Sequence, residues 1–257
     1  MSDDENTHGE SGEHDHERGH ERGQFSGLGH DRDGDHDRDR HDRDRDGDHD
    51  HDHDHDHKHH HHICFMPNTN VRTPAGEVAV KDLKIGDLVQ TYDGRSVPVR
   101  WIGRQTVASR FSDELHLPIR VKVAALGNNV PCRDLLVSPD HALLVGDVLI
   151  HAGALVNGTS IVREQNVPVR FTYYHVEVDD HSLIVAENTP AETFVDNVDR
   201  ANFDNWHEYQ ALYPEGKTVI EMSYPRAKAY RQVPRATREK LAERGVGLYG
   251  VPVVSVA

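Results

Sequence analysis

Several things are scarce in this chain, and each scarcity excludes something. Of 257 residues only two are cysteines, Cys64 and Cys132, too few for a disulfide framework. No window approaches the roughly 18 consecutive apolar residues that a membrane helix needs. The opening MSDDENTHGE carries neither the positive charge nor the apolar stretch of a secretory signal. These lacks predict a cytoplasmic protein with no membrane partner; a signal-less export route would leave no mark to read. Basic charge is short as well, with 29 Lys and Arg against 44 Asp and Glu, a net charge of −15. Nucleic acid is therefore disfavoured as a partner, since phosphate contacts demand a basic surface.

The charge is unevenly placed. Residues 1–62 hold 21 acidic and 8 basic side chains, which is −13 of the −15, and 16 of the 22 histidines. Dense charge with little apolar surface cannot offset the entropy of ordering, so this segment is predicted to be disordered. Its core, DRDGDHDRDR HDRDRDGDHD HDHDHDH, alternates acid with Arg or His. Imidazole and carboxylate are both ligands for Zn²⁺, Ni²⁺ or Cu²⁺, so His59, His60, His61 and His62 are candidate ligands for a divalent transition metal. A solvated polar tail that meets metal only incidentally has the same composition, and an appended tag is a third source for the last four histidines. The remaining 195 residues are close to neutral and apolar enough for a core.

From Ile63 the pattern becomes short apolar runs separated by turns. GEVAVKDL and DLVQTYDG read as strand pieces, the second closing at Asp93-Gly94, a favoured hairpin turn. SVPVRWIG and LPIRVKVAAL continue the pattern, with Pro98 and Pro118 at edge or strand-start positions. ALLVGDVLI predicts a hairpin about Gly146-Asp147. VPVRFTYYHVEV alternates Val169, Phe171 and Tyr173 on one face, and HSLIVAE follows as a short strand. An all-β unit is expected over 63–193. After Phe194, RANFDNWHEYQALY and RATREKLAERG have helical distributions, the second with a glycine stop at Gly245, so 194–257 reads as a partly helical extension.

Cys64 is the first chemically notable residue of the β unit, directly after the histidine run. A thiol at the start of a compact β domain, with a histidine later in a turn, is the layout for attack on the preceding peptide bond. Three separated stretches carry a resemblance. CFMPNTNVRTPAGEVAVKDLKIGDLVQTYDG holds a Cys, then Thr and Gly, then the step Leu83 to Val89; RDLLVSPDHALLV holds Ser138 and His141 in a Thr-x-x-His pattern; YHVEVDDHSLIVAEN closes the set. Together, over about 130 residues, they resemble the Hedgehog/intein (Hint) domain family in its bacterial, non-splicing form, and such an ordered set is far more specific than any lone motif.

The resemblance implies an all-β Hint fold and self-processing chemistry. Cys64 would attack the Ile63 carbonyl in an N-to-S acyl shift, making Ile63–Cys64 the cleavage site and residues 1–63 the substrate. His141 would protonate the leaving nitrogen as general acid, and Ser138 would hydrogen-bond the peptide or orient His141. His175 stands where inteins have a catalytic Asp and is a candidate for activating the thiol or binding the oxyanion. The intein ending His-Asn aligns with Glu192-Thr193, and Asn188 lies too early to replace the missing Asn, so splicing is expected to be absent. Water or an unidentified small nucleophile would resolve the thioester, and no cofactor is required. Asn68 stands where the family usually has Gly, which fits the access of Asn to left-handed backbone.

Each residue also has a plainer reading. Cys64 and Cys132 fit buried structural cysteines, with a redox pairing between them as the sharper alternative. His141 and His175 fit histidines satisfied by backbone groups. His181 reads as supportive, Glu192 as an exposed carboxylate, and Arg133 with Asp134 as a surface pair or as a device orienting the histidine turn. Beside self-processing stands a second function class, a silent Hint scaffold carrying a metal-binding tail. A third joins the two, with metal on His59–His62 clamping the Cys64 thiolate.

Overall fold

A computed structural model describes residues 63–109, 116–193, 200–216 and 218–251. The expected disorder of residues 1–62 and the candidate ligands His59, His60, His61 and His62 lie outside the described residues.

Short strands dominate, because apolar runs of three to five residues alternate with turn formers. Hairpins set the local topology. β1 (Asn70–Thr73) pairs with β2 (Gly76–Ala79), and β3 (Leu88–Gln90) with β4 (Ser96–Pro98) around Asp93-Gly94. β8 (Ala142–Val145) returns as β9 (Val148–His151) through Gly146-Asp147. β12 (Leu183–Ala186) returns as β13 (Thr189–Glu192) through Glu187 and Asn188, both at positive φ (46° and 62°), the backbone that a two-residue hairpin turn requires. Two longer strands, β5 (Trp101–Ala108) and β11 (Arg170–Glu177), pair antiparallel along their full length. β6 (Ile119–Val121) sits between β7 (Leu135–Val137) and β10 (Ile161–Arg163).

A seven-stranded sheet runs β14-β9-β8-β13-β12-β1-β2, and its outermost member, β14 (Arg226–Ala227), comes from the C-terminal segment and lies parallel to β9. That segment also supplies α1 (Trp206–Leu212) and α2 (Arg235–Tyr249). The main core gathers Val71, Val89, Ile119, Leu135, Leu143, Ile150 and Ile184, all fully buried. A separate cluster packs Ile63 and Cys64 against Trp101, Phe171, Tyr173, Phe203 and Tyr209.

Three local expectations are corrected. α2 continues through Gly245 and stops at Gly250, whose φ of 80° supplies the left-handed exit. Gly245 serves a close approach instead: a Cβ there would lie 2.8 Å from Ser160 Oγ. Val169 precedes β11 and is exposed, so the buried face of that strand is Phe171, Tyr173 and His175. The proline expectations hold: Pro98 lies in β4, an edge strand of a two-stranded sheet, and Pro118 sits just before β6. Asn68 is not among the residues at positive φ; its side chain accepts a hydrogen bond from Lys81 Nζ at 2.9 Å.

Candidate active site

The peptide joining Ile63 to Cys64 is pinned by the two residues on its C-terminal side. Phe65 bridges two strands at once, exchanging backbone hydrogen bonds with Tyr174 in β11 (2.7 and 2.9 Å) and lying opposite Val137 in β7. Met66 N–H donates to the Leu136 carbonyl at 3.0 Å, and the Cys64 carbonyl accepts from Ser138 N–H at 2.9 Å. Ile63 and Cys64 are consequently buried, at 3% and 0% exposure.

Three side chains named from the sequence converge on this peptide. Ser138 and His141 occupy the loop between β7 and β8, closed by a turn at Pro139-Asp140 in which His141 N–H donates to the Ser138 carbonyl. Ser138 Oγ accepts the Cys64 N–H at 2.9 Å. His175, on the buried face of β11, donates its Nδ1–H to the Ile63 carbonyl oxygen, since a carbonyl can only accept. The two ends of one peptide bond are thus held by two side chains. His141 is fully buried, with its ring against Phe65 at 4.3 Å between centroids. Its Nε2 donates to the Glu192 carbonyl at 3.1 Å, which leaves Nδ1, on the Cys64 side, without a proton.

Burial sets the protonation states. Desolvation pushes the Cys64 thiol far above its ordinary value, so the resting sulfur is S–H. Desolvation lowers His175 to about 3, against the opposing hydrogen bond to the Ile63 carbonyl, and so keeps it a neutral donor. His141 is also lowered by burial, with the Glu192 charge pulling the other way.

Further groups at the site were not legible as site residues. Phe203 stands 5.5 Å from the His175 ring, and Trp101 meets Phe203 and Tyr209 edge-on at 5.3 Å each. Gly103, opposite His175 in β5, admits Phe203; a Cβ would lie 2.8 Å from that ring. The helical spacing of Phe203 and Tyr209 was readable, but not that they wall the Ile63–Cys64 bond. Glu192, expected to be exposed, is 1% exposed. Its carboxylate accepts from Ala142 N–H (2.9 Å) and Arg226 (2.9 Å) and faces His181 Nε2 at 3.4 Å. Burial alone would raise its pKa, but His181 and Arg226 outweigh this and lower it to about 2. His181 Nδ1 accepts from Met222 N–H at 2.9 Å. Arg133 pairs with Glu187 and Asp134 with Arg120, so they do not pair with each other. Among the described residues no cluster of His, Cys, Asp and Glu is arranged to hold a metal ion, and no helix is long and apolar enough to cross a membrane.

A family model described as the Hint domain matches residues 63–198. The chain is similar to solved structures of an intein-like domain from Clostridium thermocellum (17% identity, 52% of this chain and 99% of that one, TM-score 0.39) and of a DnaB intein from Synechocystis sp. PCC 6803 (13%, 51% and 99%, 0.38). It is also similar to the MchDnaB-1 intein (16%, 51% and 99%, 0.35). The chain matches no curated protein.

Proposed function

This chain belongs to the Hint-domain family, and from that premise we propose that it processes itself at Ile63–Cys64 by an N-to-S acyl shift, without splicing. The observation carrying this reading is the grip on the peptide bond itself, with His175 Nδ1–H on the Ile63 carbonyl and Ser138 Oγ on the Cys64 N–H. The first is the position of an oxyanion donor, where a preorganised N–H is worth about 10²–10³ in rate. The second turns the amide nitrogen toward the loop that carries His141.

The thiol proton passes to the bare Nδ1 of His141 as the sulfur attacks the Ile63 carbon. The negative charge develops on the carbonyl oxygen facing His175. When the C–N bond breaks, Nδ1 returns the proton to the Cys64 nitrogen, leaving a thioester and a free amine. A thiol that ionises this reluctantly makes the shift slow at neutral pH and faster as pH rises. Water then cleaves the thioester, or an amine, thiol or alcohol takes up residues 1–63. The intein ending is replaced by Glu192-Thr193, which supplies no Asn to cyclise, hence the absence of splicing.

Intact-mass spectrometry with dithiothreitol and with hydroxylamine, beside Cys64→Ala, tests the reading. Release of a fragment ending at Ile63 from the wild type alone is expected. A wild type left whole by both reagents would make the domain a silent scaffold.

A further inference from the structure

The C-terminal segment contributes more to this domain than an edge strand. β14 lies beyond the family match at 63–198, yet it reaches the centre of the domain. Leu149 N–H donates to the Pro225 carbonyl at 2.9 Å and β14 pairs with β9, which delivers Arg226 beneath β13. There the guanidinium, 13% exposed, meets a Glu192 carboxylate that is wholly buried. Glu192 in turn holds the loop of His141 at two points, its carbonyl on the ring Nε2 and its carboxylate on the Ala142 N–H next in sequence.

We infer that Arg226 is a positioning residue for the self-processing reaction, anchoring Glu192 so that His141 presents a bare Nδ1 toward the Cys64 peptide. This rests on the self-processing function proposed for Ile63–Cys64. The physical argument is that a buried carboxylate persists as an anion only where it is paired and hydrogen-bonded. Four titratable or charged groups bear on it: Arg226 at 2.9 Å, His181 at 3.4 Å, and more distantly His141 and His175. His181 gives its Nδ1 lone pair to Met222 N–H, so its Nε2–H faces Glu192. Arg226 is therefore the permanent cation of the set, itself steadied by Glu221 through Nε. Without it the carboxylate takes up a proton or turns away, the Ala142 N–H loses its acceptor, and the His141 loop is free to shift with its ring. The extension then becomes part of the processing machinery, and a domain cut at the end of the family match would fold around a loosened histidine.

The test uses the full chain. Arg226→Gln is expected to slow thiol-induced release of the fragment at least tenfold, and Arg226→Lys to recover the rate to within threefold of wild type. Independently of any cleavage, ¹⁵N spectra of the His141 ring in a Cys64→Ala background should show one tautomer, Nε2–H with bare Nδ1, and a mixture when Arg226→Gln is added. Unchanged ring signals together with a rate within twofold of wild type would overturn the inference while leaving self-processing intact. A changed ring in a chain whose wild type never processes would uphold the positioning and sink the proposed function instead. If Arg226→Gln does not fold, the double variant Glu192→Gln/Arg226→Met removes both buried charges together and takes its place in the ring measurement. A single unchanged tautomer there overturns the inference, and a mixture supports it.

Discussion

The two cysteines lie in surroundings that differ less in the thiol than in the peptide bond before it. Burial raises both thiols, Cys64 most strongly and Cys132 with the Glu187 carboxylate adding to the effect. Both are free. Before Cys132, the Pro131 carbonyl accepts from Ala124 N–H at 2.8 Å and the Cys132 N–H donates to the Glu187 carbonyl at 2.9 Å, so that peptide is held by backbone alone. Before Cys64, the carbonyl and the N–H are both taken by side chains, from His175 and Ser138. Backbone partners complete a fold, whereas side chains can also move a proton or strengthen a bond as charge develops. In the proposed reaction the chemistry therefore lies in the grip on the Ile63–Cys64 peptide, not in an unusually acidic sulfur.

The largest expected effect breaks the comparison outright. Cys64→Ala should abolish thiol-dependent release at Ile63, while Cys132→Ala should leave the rate within twofold of wild type, both read by intact mass over a time course. Loss of processing in Cys132→Ala would mean that the two thiols act together and that the contrast between them is false.

The fold behind this contrast was largely legible, because hairpins announce themselves locally. Asp93-Gly94 and Gly146-Asp147 sit at the turns where the alternation broke, and Cys64, Ser138, His141 and His175 were each named from motif positions. Long-range consequences were hidden. Nothing local tells that Glu192, seemingly a polar strand end, is buried by an arginine 34 positions later, or that Phe203 fills a space left by Gly103. Gly245 shows the same limit: a glycine late in a helix reads as a stop, and only the neighbouring Thr159 and Ser160 show it to be a contact point.

His175 sharpens the comparison at the carbonyl end. Its replacement by Ala removes the only side-chain donor found on the Ile63 oxygen among the described residues and should slow the acyl shift by about 10²–10³, the usual cost of one oxyanion donor. The same residue leaves a mark on acid stability. Its folded pKa, about 3, lies below the value near 6.5 of an unfolded histidine. The unfolded state therefore binds the extra proton first, so stability is complete above pH 6.5 and falls as pH drops toward 3, with a limiting slope of about 1.4 kcal/mol per pH unit for one such group. Glu192, lowered to about 2, adds a loss of the same sign at lower pH, below its ordinary 4.5. Urea melts between pH 7 and 4 should show a shallower decline in His175→Gln than in wild type, and parallel curves would show that His175 has no part in the acid response.

At the nitrogen end the effect should be smaller. Ser138→Ala leaves the Cys64 N–H buried without its 2.9 Å acceptor, a cost of about 1–3 kcal/mol. Part of this falls on folding and part on the orientation of the leaving nitrogen, so a rate loss of about tenfold with a lowered melting temperature is expected. Ser138→Thr keeps the hydroxyl and should stay close to wild type. Equal losses in the two variants would show that the site needs the serine's size, not its oxygen.

The smallest effect concerns metal. A clamp formed by His59–His62 and the Cys64 thiolate would need that sulfur to meet an ion held upstream, but Cys64 is fully buried, its thiol is held protonated, and Ile63 between them is packed into the same aromatic cluster. The burial of Cys64 and Ile63 thus argues against a clamp of that kind in the folded domain. Thiol-induced release measured with excess zinc and with a chelator should therefore agree within twofold, with zinc added at a level the thiol reagent does not sequester. A tenfold slowing by zinc that chelation reverses, and that disappears when His59–His62 are replaced by Ser, would show that the cysteine leaves its pocket before it reacts and that the tail controls the reaction.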